Sequence, residues 1–334
     1  MSPDVSVIIP CRNEVQFIDT CLESISKQLL QEKTIEIIVA DGISHDGTRT
    51  KLTAWAKRNP HIKIVDNPRY IVPTGLNLAI AQAVAPVIVR MDVHSHYPPD
   101  YVRTCLGTLE QIEADNVGGV VITQPHGDSL SARIVQAVST HPFGVGGAKF
   151  RLQTRGGYVD TVPFGCFRRE IFDRIGYFDE RLVRNQDYEF NKRITSSGGK
   201  IWLNPSIQIK YFNQNKLRGL FRQAWLTGKW NTWTWWVAPY AFAWRHLVPG
   251  LFVLFLAIGF ILCVTLTWFS LIYYLTLILY FILALISAVQ QSMRYHNFGF
   301  IPLLPFIFLG YHMSYGLGIL QGGIQLLCNR SPVS

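Results

Sequence analysis

The run Ile35-Glu36-Ile37-Ile38-Val39-Ala40, followed directly by Asp41-Gly42-Ile43-Ser44-His45-Asp46-Gly47-Thr48, decides the fold of this chain. The apolar run is typical of a buried strand, and the Gly- and Asp-rich segment after it is typical of a strand-to-helix turn. Ligands of open α/β sheets bind at the carboxyl ends of the strands, so Asp41 and the hydroxyls after it suit contact with a nucleotide. The alternative is a plain turn in which Asp46 or Ser44 caps the helix that begins near Thr48.

Similar apolar runs recur along the chain and alternate with amphipathic segments. The predicted strands are residues 5–10, 35–40, 62–65, 87–91 and 117–123, and the predicted helices are residues 14–30, 48–58, 74–84 and 99–114. This alternation favours an α/β fold with a mainly parallel sheet and helices on both faces. The Gly- and Arg-rich residues 144–163 are predicted to form loops over the site, and short helices are predicted at 171–175 and 187–196.

The composition changes near residue 246. From there to residue 334 the sequence contains no Asp, Glu or Lys, and only Arg294 and Arg330 carry a fixed charge. The preceding segment is rich in Trp, Arg and Lys, which is typical of the membrane interface, and an aromatic core helix is the alternative. We therefore expect a catalytic domain at 1–215, an interfacial segment at 216–245 and a transmembrane region at 246–330.

Three apolar segments of that region are candidate membrane spans. Residues 247–269 and 271–289 are each long enough to cross the ~30 Å hydrocarbon core, and a tight turn near Ser270 makes them a hairpin. Residues 300–327 contain prolines and glycines, which predicts a third span or a re-entrant segment. The positive-inside rule places the catalytic domain in the cytoplasm, at the inner membrane, with the C-terminus outside. The basic residues behind this assignment are Lys229, Arg245 and Arg294.

The formal net charge of +9 indicates anionic partners. Nucleic acid is the weakest candidate, because the sequence has no basic run and no nucleic-acid-binding motif. Anionic membrane lipids and a phosphorylated substrate both fit a membrane-attached domain that binds a nucleotide. The six cysteines form no CxxC pair and no spacing typical of zinc, which predicts reduced thiols in a cytosolic domain. No secretory signal peptide is predicted at the N-terminus.

A second candidate site, Arg90-Met91-Asp92-Val93-His94-Ser95-His96, closes the predicted fourth strand at the sheet edge that carries Asp41. Asp92 and His94 have period-two spacing, so their side chains point the same way in an extended segment. A carboxylate and an imidazole there can hold Mg²⁺ or, given the His ligand, Mn²⁺, with phosphate oxygens completing the shell. The alternative is a loop with a capping Asp and solvent-exposed histidines. His96 is expected to be a supporting or structural residue.

The third candidate site is the acidic stretch at residues 178–189. Most of its carboxylates are expected to be solvated or paired with neighbouring arginines. Asp187 differs, because it begins a predicted helix, is held rigidly and can face a cleft. A sugar transfer that inverts configuration needs one carboxylate to take a proton from an acceptor hydroxyl, and Asp187 suits that role.

Taken in order, these elements resemble the family 2 glycosyltransferases. The order is Val7-Ile8-Ile9-Pro10-Cys11-Arg12-Asn13-Glu14, the Asp41–Thr48 turn, Asp92-x-His94, Gly176-x-Phe178-Asp179-Glu180 and Gln186-Asp187-Tyr188-Glu189. The resemblance covers residues 4–230 and implies the GT-A nucleotide-diphospho-sugar transferase fold, followed by an α-helical membrane region. Segments 141–151, 159–165 and 184–189 are most similar to the succinoglycan-type exopolysaccharide glucosyltransferases, the ExoA-like enzymes.

The resemblance implies a role for each matching residue. Asp187 is the catalytic base, and Asp92 and His94 hold the metal, with His94 replacing the second Asp of the family's Asp-x-Asp. The implied nucleotide-sugar-binding residues are Pro10, Arg12, Glu14, Asp41, Asn67, Arg69 and Asp92. The implied acceptor-side residues are Thr161, Pro163, Phe164, Gly165 and Gln186, and Gln186 stands where the family usually has Glu.

What the resemblance implies for function is a membrane-anchored, inverting, metal-dependent enzyme that moves a hexose, glucose by the closer match, from a UDP-sugar to a polyprenyl-diphosphate-linked oligosaccharide. It would act in exopolysaccharide synthesis beside other polysaccharide-assembly enzymes. Processive synthases of the family carry Gln-x-x-Arg-Trp, which Arg222-Gln223-Ala224-Trp225 does not match, so one sugar per encounter is expected. The alternatives are a polyprenyl-phosphate glycosyl synthase, whose acceptor is the lipid phosphate, and a non-catalytic membrane scaffold with a decayed nucleotide pocket.

Overall fold

The computed structural model describes residues 2–28, 33–125, 127–152 and 155–328. Parts of three predictions lie outside the described residues: the end of the first helix (29–30), two loop residues (153–154) and the end of the transmembrane region (329–330). The chain divides into two compact units, one formed by Met1–Ile122 and Lys149–Phe212, the other by Thr123–Ala148 and Asn213–Ser334. The sequence did not indicate that residues 123–148 group with the C-terminal helices, and the predicted boundary at 215 stays a prediction.

The order of elements along the described chain alternates strands and helices up to Phe212 and is helical from there on. In chain order they are β1 (Val5–Cys11), α1 (Ile18–Ser26), β2 (Ile35–Asp41), α2 (Thr48–Arg58), β3 (Ile62–Asp66), α3 (Val72–Gln82), β4 (Val87–Arg90), β5 (Ser95–His96), α4 (Tyr101–Ile112), β6 (Asn116–Gln124), α5 (Leu130–Ser139), α6 (Pro142–Val145), α7 (Lys149–Leu152), β7 (Gly157–Tyr158), β8 (Cys166–Arg168), α8 (Glu170–Ile175), α9 (Gln186–Ser196), β9 (Ile201–Phe212), α10 (Leu217–Val237), a 3₁₀ turn (Pro239–Ala241), α11 (Trp244–Thr265), α12 (Thr267–Arg294) and α13 (Phe300–Leu327).

One mixed sheet organises the first unit, with strand order β3-β2-β1-β4-β8-β6-β9-β5 and β7 beside β9. Strands β3, β2, β1 and β4 pair in parallel, as predicted. The pairs β4–β8, β6–β8, β5–β9 and β7–β9 are antiparallel. The sequence predicted no strand for β7, β8 or β9, because the first two are short and lie among loops and because Pro205 interrupts the alternation of β9. The α/β class is therefore confirmed, while the sheet is mixed rather than mainly parallel.

Both faces of the parallel strands are buried, which explains why these strands are continuously apolar. In β1, Val7 and Ile9 pack into one core with Leu22 of α1, whereas Ile8 packs on the other face with Leu76 of α3. The register pairs Cys11 at the end of β1 with Asp41 at the end of β2. The carboxyl ends of these strands are therefore aligned, and the loops that follow them meet at one edge.

The second unit contains three helices, α11, α12 and α13, that are long and apolar enough to cross a membrane. The turn of the predicted hairpin lies at Leu266, and Ser270 is inside α12, so the predicted position near Ser270 is wrong. The reason is local, because the Ser270 hydroxyl donates to the Thr267 carbonyl within the helix and does not break it. Helix α13 continues through Pro305 without interruption.

The Trp-rich segment forms helix α10, which packs closely on α13. A Cβ at Gly318 would lie 2.1 Å from the Trp225 carbonyl oxygen, so only glycine permits this approach. Trp230 is buried in the unit, whereas Trp236 and Trp244 are 69% and 71% exposed. The segment thus has one packed face and exposed tryptophans at its end, and its location in a membrane interface stays a prediction.

Candidate active site

The turn after β2 holds Asp41 inside the first unit. The side chain of Asp41 is fully buried, and its carboxylate accepts hydrogen bonds from Ser44 Oγ at 2.6 Å and Arg49 Nη1 at 3.1 Å. Arg49 also contacts Asp66 Oδ1 at 2.5 Å. A buried carboxylate needs such donors because desolvation is costly. Arg49, which the sequence interpretation had not singled out, therefore stabilises the residue predicted to contact the base.

The remaining polar residues of this turn brace the loop after β1. The Asn13 amide donates to Ser44 Oγ at 2.8 Å, and the Val15 amide donates to Asp46 Oδ2 at 3.1 Å. Asp46 also accepts from the amide of Thr48 at 3.0 Å, as in the simpler alternative in which it serves the start of α2. The Gly- and Asp-rich motif thus has a structural function: it fixes the loop that carries Arg12 and Glu14.

A cleft of about 280 Å³ opens beside these two loops. Its walls include six of the residues predicted to bind the donor or the metal, which are Pro10, Arg12, Glu14, Asn67, Asp92 and His94. The sequence interpretation missed Tyr70, which also lines the cleft and lies under the Arg12 guanidinium at 4.6 Å from the ring centroid. Neither Asp41 nor Arg69 is among the residues of this wall.

Residues of the predicted donor segment at 67–77 are mainly occupied by contacts within the protein. The Asn67 side chain donates to the Ile71 carbonyl at 2.8 Å and accepts from Thr74 Oγ1 at 2.8 Å. Arg69 forms an ion pair with Glu180, which also accepts from Asn77 Nδ2 at 3.0 Å. These contacts tie the start of α3 to the loop before α9 and hold the part of the segment that lines the cleft, residues 67 and 70–72.

The predicted metal ligands lie on the cleft wall beside a second carboxylate. His94 Nε2 is 2.7 Å from Glu14 Oε1, and this hydrogen bond raises the pKa of His94 against the opposing effect of burial. The Asp92 side chain is 33% exposed. Within the described residues no three His, Cys, Asp or Glu side chains form a complete metal site. The pair nevertheless fits a cation that takes few protein ligands and completes its shell with phosphate oxygens.

Arg90, the last residue of β4, connects Asp92 to Asp187. It is 3% exposed, donates from Nη2 to Asp92 Oδ1 at 3.1 Å and forms an ion pair through Nη1 with Asp187 Oδ1. Asp187 lies in the first turn of α9, with 32% of its side chain exposed. The sequence interpretation did not assign Arg90 a role. The sequence signal for such a role is a charged residue at the end of an apolar strand. A buried arginine requires carboxylate partners, so Arg90 could have been expected to pair with one.

The predicted acceptor-side loop is joined to the same strand end. The Arg90 amide donates to the Gly165 carbonyl at 2.9 Å, and Phe164 and Gly165 both have positive φ angles, +62° and +102°. A side chain at Gly165 would clash with Phe167, so this bend needs glycine. Asn191 of α9 donates to Thr161 Oγ1 at 3.0 Å. The two remaining members of the set, Pro163 and Gln186, are half-buried and buried.

The family model described as "Glycosyl transferase family 2" matches residues 6–176, which contain the loops after β1 and β2 and the predicted metal ligands Asp92 and His94. The chain belongs to glycosyltransferase family 2.

Two relatives illustrate the range of this family. The chain is 30% identical over 219 residues to the succinoglycan biosynthesis protein ExoA of Rhizobium meliloti, covering 65% of this chain and 66% of the relative. It is 26% identical over 227 residues to a dolichyl N-acetyl-alpha-D-glucosaminyl phosphate 3-beta-D-2,3-diacetamido-2,3-dideoxy-beta-D-glucuronosyltransferase of Methanococcus voltae, covering 66% of this chain and 70% of the relative.

A solved structure supports the GT-A fold over the length of the chain. The mannosyltransferase PcManGT of Pyrobaculum calidifontis, in complex with GDP-Man and Mn²⁺, aligns with a TM-score of 0.60 at 17% identity, covering 98% of this chain and 88% of its own. At this identity the likeness concerns the fold alone. The predicted family and enzyme class are thus confirmed, while the role of each site residue stays a prediction.

The cysteines of this glycosyltransferase provide no nucleophile at the cleft. Cys11 lines the cleft, but burial and then the nearby Asp41 charge raise the pKa of its thiol well above the usual value. Burial raises the pKa of Cys21 to about 12. All six cysteines, each within the described part of the chain, are free thiols. The thiols of Cys11 and Cys21 therefore stay protonated, and neither is expected to act as a thiolate nucleophile.

Proposed function

We propose that this family 2 enzyme is an inverting, metal-dependent and non-processive transferase that moves a hexose from a UDP-sugar to a lipid-linked oligosaccharide in exopolysaccharide synthesis. The observation that carries the proposal is the arrangement around Arg90, which holds Asp92 of the cleft and Asp187 of α9 on one guanidinium. One carboxylate with a role toward the donor and one with a role toward the acceptor are what an inverting transfer requires.

The cleft residues and Asp187, which is not among the residues that line the cleft, have separate tasks in this reaction. Asp92 and His94 would hold Mn²⁺ or Mg²⁺, whose chemistry is to neutralise the charge that develops on the departing diphosphate. Arg12, which lines the same cleft and lies over the Tyr70 ring, would bind the diphosphate. Asp187 takes the proton of the acceptor hydroxyl. The hydroxyl oxygen attacks the anomeric carbon from the face opposite the departing diphosphate, and the bond from that carbon to the diphosphate breaks. The product is a β-linkage when the donor is an α-linked UDP-hexose.

Relatives support a lipid-linked sugar as the acceptor. The Methanococcus voltae relative is named for a dolichyl N-acetylglucosaminyl phosphate, and the Rhizobium meliloti relative for succinoglycan biosynthesis. Three helices long enough to cross a membrane follow the catalytic unit. Attachment to the membrane that carries the acceptor raises the effective concentration of acceptor without new contacts. We also propose that the catalytic domain, residues 1–215, lies on the cytoplasmic side of the inner membrane, because the positive-inside rule applied to Lys229, Arg245 and Arg294 favours that side.

Metal dependence is supported by the open Asp92 and His94 pair and by the Mn²⁺ in the mannosyltransferase of similar fold. The uridine of the donor is proposed from the Asp41 turn, and glucose from the resemblance of segments 141–151, 159–165 and 184–189 to the succinoglycan-type glucosyltransferases. The Asp41 carboxylate is fully buried and already accepts from Ser44 and Arg49, so we propose that it contributes to base binding indirectly, by orienting these two residues.

The second candidate, transfer to a bare polyprenyl phosphate, makes a different demand on Asp187. A phosphate acceptor is already ionised and needs no general base. With such an acceptor, the partly exposed carboxylate of Asp187 would have no function in the transfer. The geometry therefore favours a hydroxyl acceptor.

Nucleoside diphosphate release from a panel of nucleotide sugars tests the proposal. The detergent-solubilised protein is assayed with Mn²⁺ or Mg²⁺, with and without an extract of polyprenyl-diphosphate-linked sugars, beside Asp187→Asn. We expect UDP release from one UDP-hexose that requires metal, extract and Asp187. Release with bare polyprenyl phosphate that is indifferent to Asp187 would establish the second candidate, and binding without any release would indicate a scaffold.

A further inference from the structure

Arg90 contacts three parts of the proposed site through its main chain and its side chain. Its amide binds the Gly165 carbonyl of the acceptor-side loop at 2.9 Å. Its Nε and Nη2 atoms face the Asp92 carboxylate at 3.1–3.3 Å, and Nη1 pairs with Asp187. The side chain itself is 4% exposed. A rigid, planar cation therefore sits between the two carboxylates that the proposed reaction needs.

We infer that Arg90 is the positioning residue that fixes the distance and orientation between Asp92 on the donor side and Asp187 on the acceptor side. The roles of the two carboxylates rest on the proposed function. The bridge, by which we mean the contacts of one Arg90 guanidinium with Asp92 and Asp187, rests on the geometry alone. Arg90 does not touch substrate. It acts through Asp187, by pairing with Oδ1 while the side chain of Asp187 stays 32% exposed for the acceptor hydroxyl.

The chemistry of arginine explains why this position carries it. The guanidinium presents donors on two edges of one plane, so a single side chain can serve two carboxylates in a fixed mutual geometry. Lysine is a point charge on a flexible stem and cannot hold both orientations. Two neighbouring carboxylates without a cation between them would also repel each other and separate. Charge and shape are therefore both required, and they can be tested apart.

The same sheet provides a matched control. Arg168 lies on β8, directly beside β4, where it pairs with Val87 in the sheet register. Its guanidinium donates to two main-chain carbonyls, those of Ala114 at 3.1 Å and Leu109 at 2.9 Å. Arg168→Lys thus perturbs an arginine of the same sheet without altering the carboxylates of the cleft.

The test is a double-mutant cycle with the full-length protein in detergent, using Arg90→Lys, Asp187→Asn, their combination and Arg168→Lys. Transfer is followed as UDP release with a lipid-linked acceptor, and Tm is measured for every variant. We expect Arg90→Lys to lower kcat about 30-fold with the donor KM changed less than about threefold. In the Asp187→Asn background the same substitution should cost less than about threefold, because the interaction is already lost. Arg168→Lys should change kcat by less than about twofold.

Two results would overturn the inference. One is an equal loss of kcat from Arg90→Lys in both backgrounds, which would mean that Arg90 acts independently of Asp187. The other is a loss that Arg168→Lys reproduces, which would make the role structural. If Arg90→Lys does not fold, Arg90→Ala with millimolar ethylguanidine provides the second route, with recovery of kcat expected and no recovery contradicting the inference.

Failure of the proposed function has a different signature. Wild-type protein would then release no UDP with any lipid-linked acceptor, while the Tm values of the Arg90 and Asp187 variants would still be non-additive by about 3 °C. Additive Tm values in an active enzyme would instead refute the bridge.

Discussion

The two ends of the parallel strands bury charged groups in opposite ways. At the amino end, Glu36 of β2 accepts from Ser6 Oγ at 2.5 Å, Lys63 Nζ at 2.8 Å and the Val84 amide at 2.8 Å, and it is 4% exposed. At the carboxyl end, Asp92 and Asp187 share the one cation of Arg90 and remain a third exposed toward solvent. Hydrogen bonds and ion pairs thus enclose the carboxylate at the amino end, whereas the two carboxylates at the carboxyl end stay partly open to solvent.

This contrast teaches how to separate structural from functional carboxylates in one sheet. A carboxylate whose acceptor positions are filled by the protein stabilises the fold and has no free oxygen for a ligand. A carboxylate held by one arginine is oriented, yet still open to solvent and substrate. If the distinction is right, substitutions at the two ends should change different observables.

The largest effect is expected at the carboxyl end. Asp187→Asn should reduce transfer about 10³-fold, because the proposed base is removed, while Tm falls by no more than about 3 °C. UDP binding, measured by calorimetry, should stay within about threefold of the wild type. An unchanged transfer rate with a lipid-linked oligosaccharide would contradict the role assigned to this carboxylate.

Removal of the divalent cation should come next. Treatment with a chelator is expected to lower the transfer rate about 10²-fold, because without the metal the charge that develops on the departing diphosphate is not neutralised. Added Mn²⁺ should restore the rate. Asp92→Asn should weaken the Mn²⁺ dependence of UDP binding. Full activity after chelation, with the absence of metal checked by elemental analysis, would show that transfer does not depend on a divalent cation.

The amino end should respond in stability and not in activity. Glu36→Gln is expected to lower Tm by about 4 °C, because charge-assisted hydrogen bonds are replaced by neutral ones, and to leave the transfer rate within about twofold. Ser6→Ala, which removes one of the three donors, is the matched milder variant. A selective loss of transfer at normal Tm would break the comparison.

A pH dependence sharpens the same prediction. Burial raises the pKa of Glu36, but hydrogen bonds from Lys63, Ser6 and the Val84 amide outweigh it and hold the pKa below the usual value. A carboxyl group with a lowered pKa stabilises the fold above its unfolded pKa of about 4.5, and the contribution is lost as pH falls through the folded value. Tm of the wild type should therefore fall more steeply than that of Glu36→Gln below about pH 4.5. Parallel curves would show that Glu36 contributes nothing to acid unfolding.

The smallest effect is expected from His94→Asp. The substitution restores two carboxylates to the Asp-x-His motif, and oxygen ligands favour Mg²⁺ where imidazole favours Mn²⁺. We expect the ratio of rates with Mg²⁺ and Mn²⁺ to rise a few-fold, with little change in Tm. A ratio that does not change would indicate that His94 is not a ligand.

Local patterns predicted much of the fold. The apolar runs identified β1 to β4 and β6, and the register of parallel strands explains why Asp41 and Asp92 follow strands that end at one edge. Strands β8 and β9 escaped prediction because their pairing is antiparallel and depends on distant partners. The hairpin turn was misplaced by a few residues, because a serine does not end a helix when its hydroxyl bonds within it.

The candidate site was predictable in its residue types but not in its contacts. Arg90 and Asp187 are 97 residues apart in sequence, and no periodicity connects them. Asp41 was expected to face a nucleotide, and its full burial depends on Arg49 and Ser44, which only the folded turn brings together. Motifs identify which side chains matter, while packing decides which oxygens remain open.

The most direct test of the account is a structure of the protein with UDP and Mn²⁺, with the metal identified by its anomalous signal. We expect the diphosphate in the cleft between Arg12 and His94 and Mn²⁺ density beside Asp92, with Arg90 still paired with Asp187 and with Glu36 unchanged. Mn²⁺ and UDP bound away from Asp92, or an Asp187 separated from Arg90, would contradict the claim that the carboxyl end of the sheet is the transfer site.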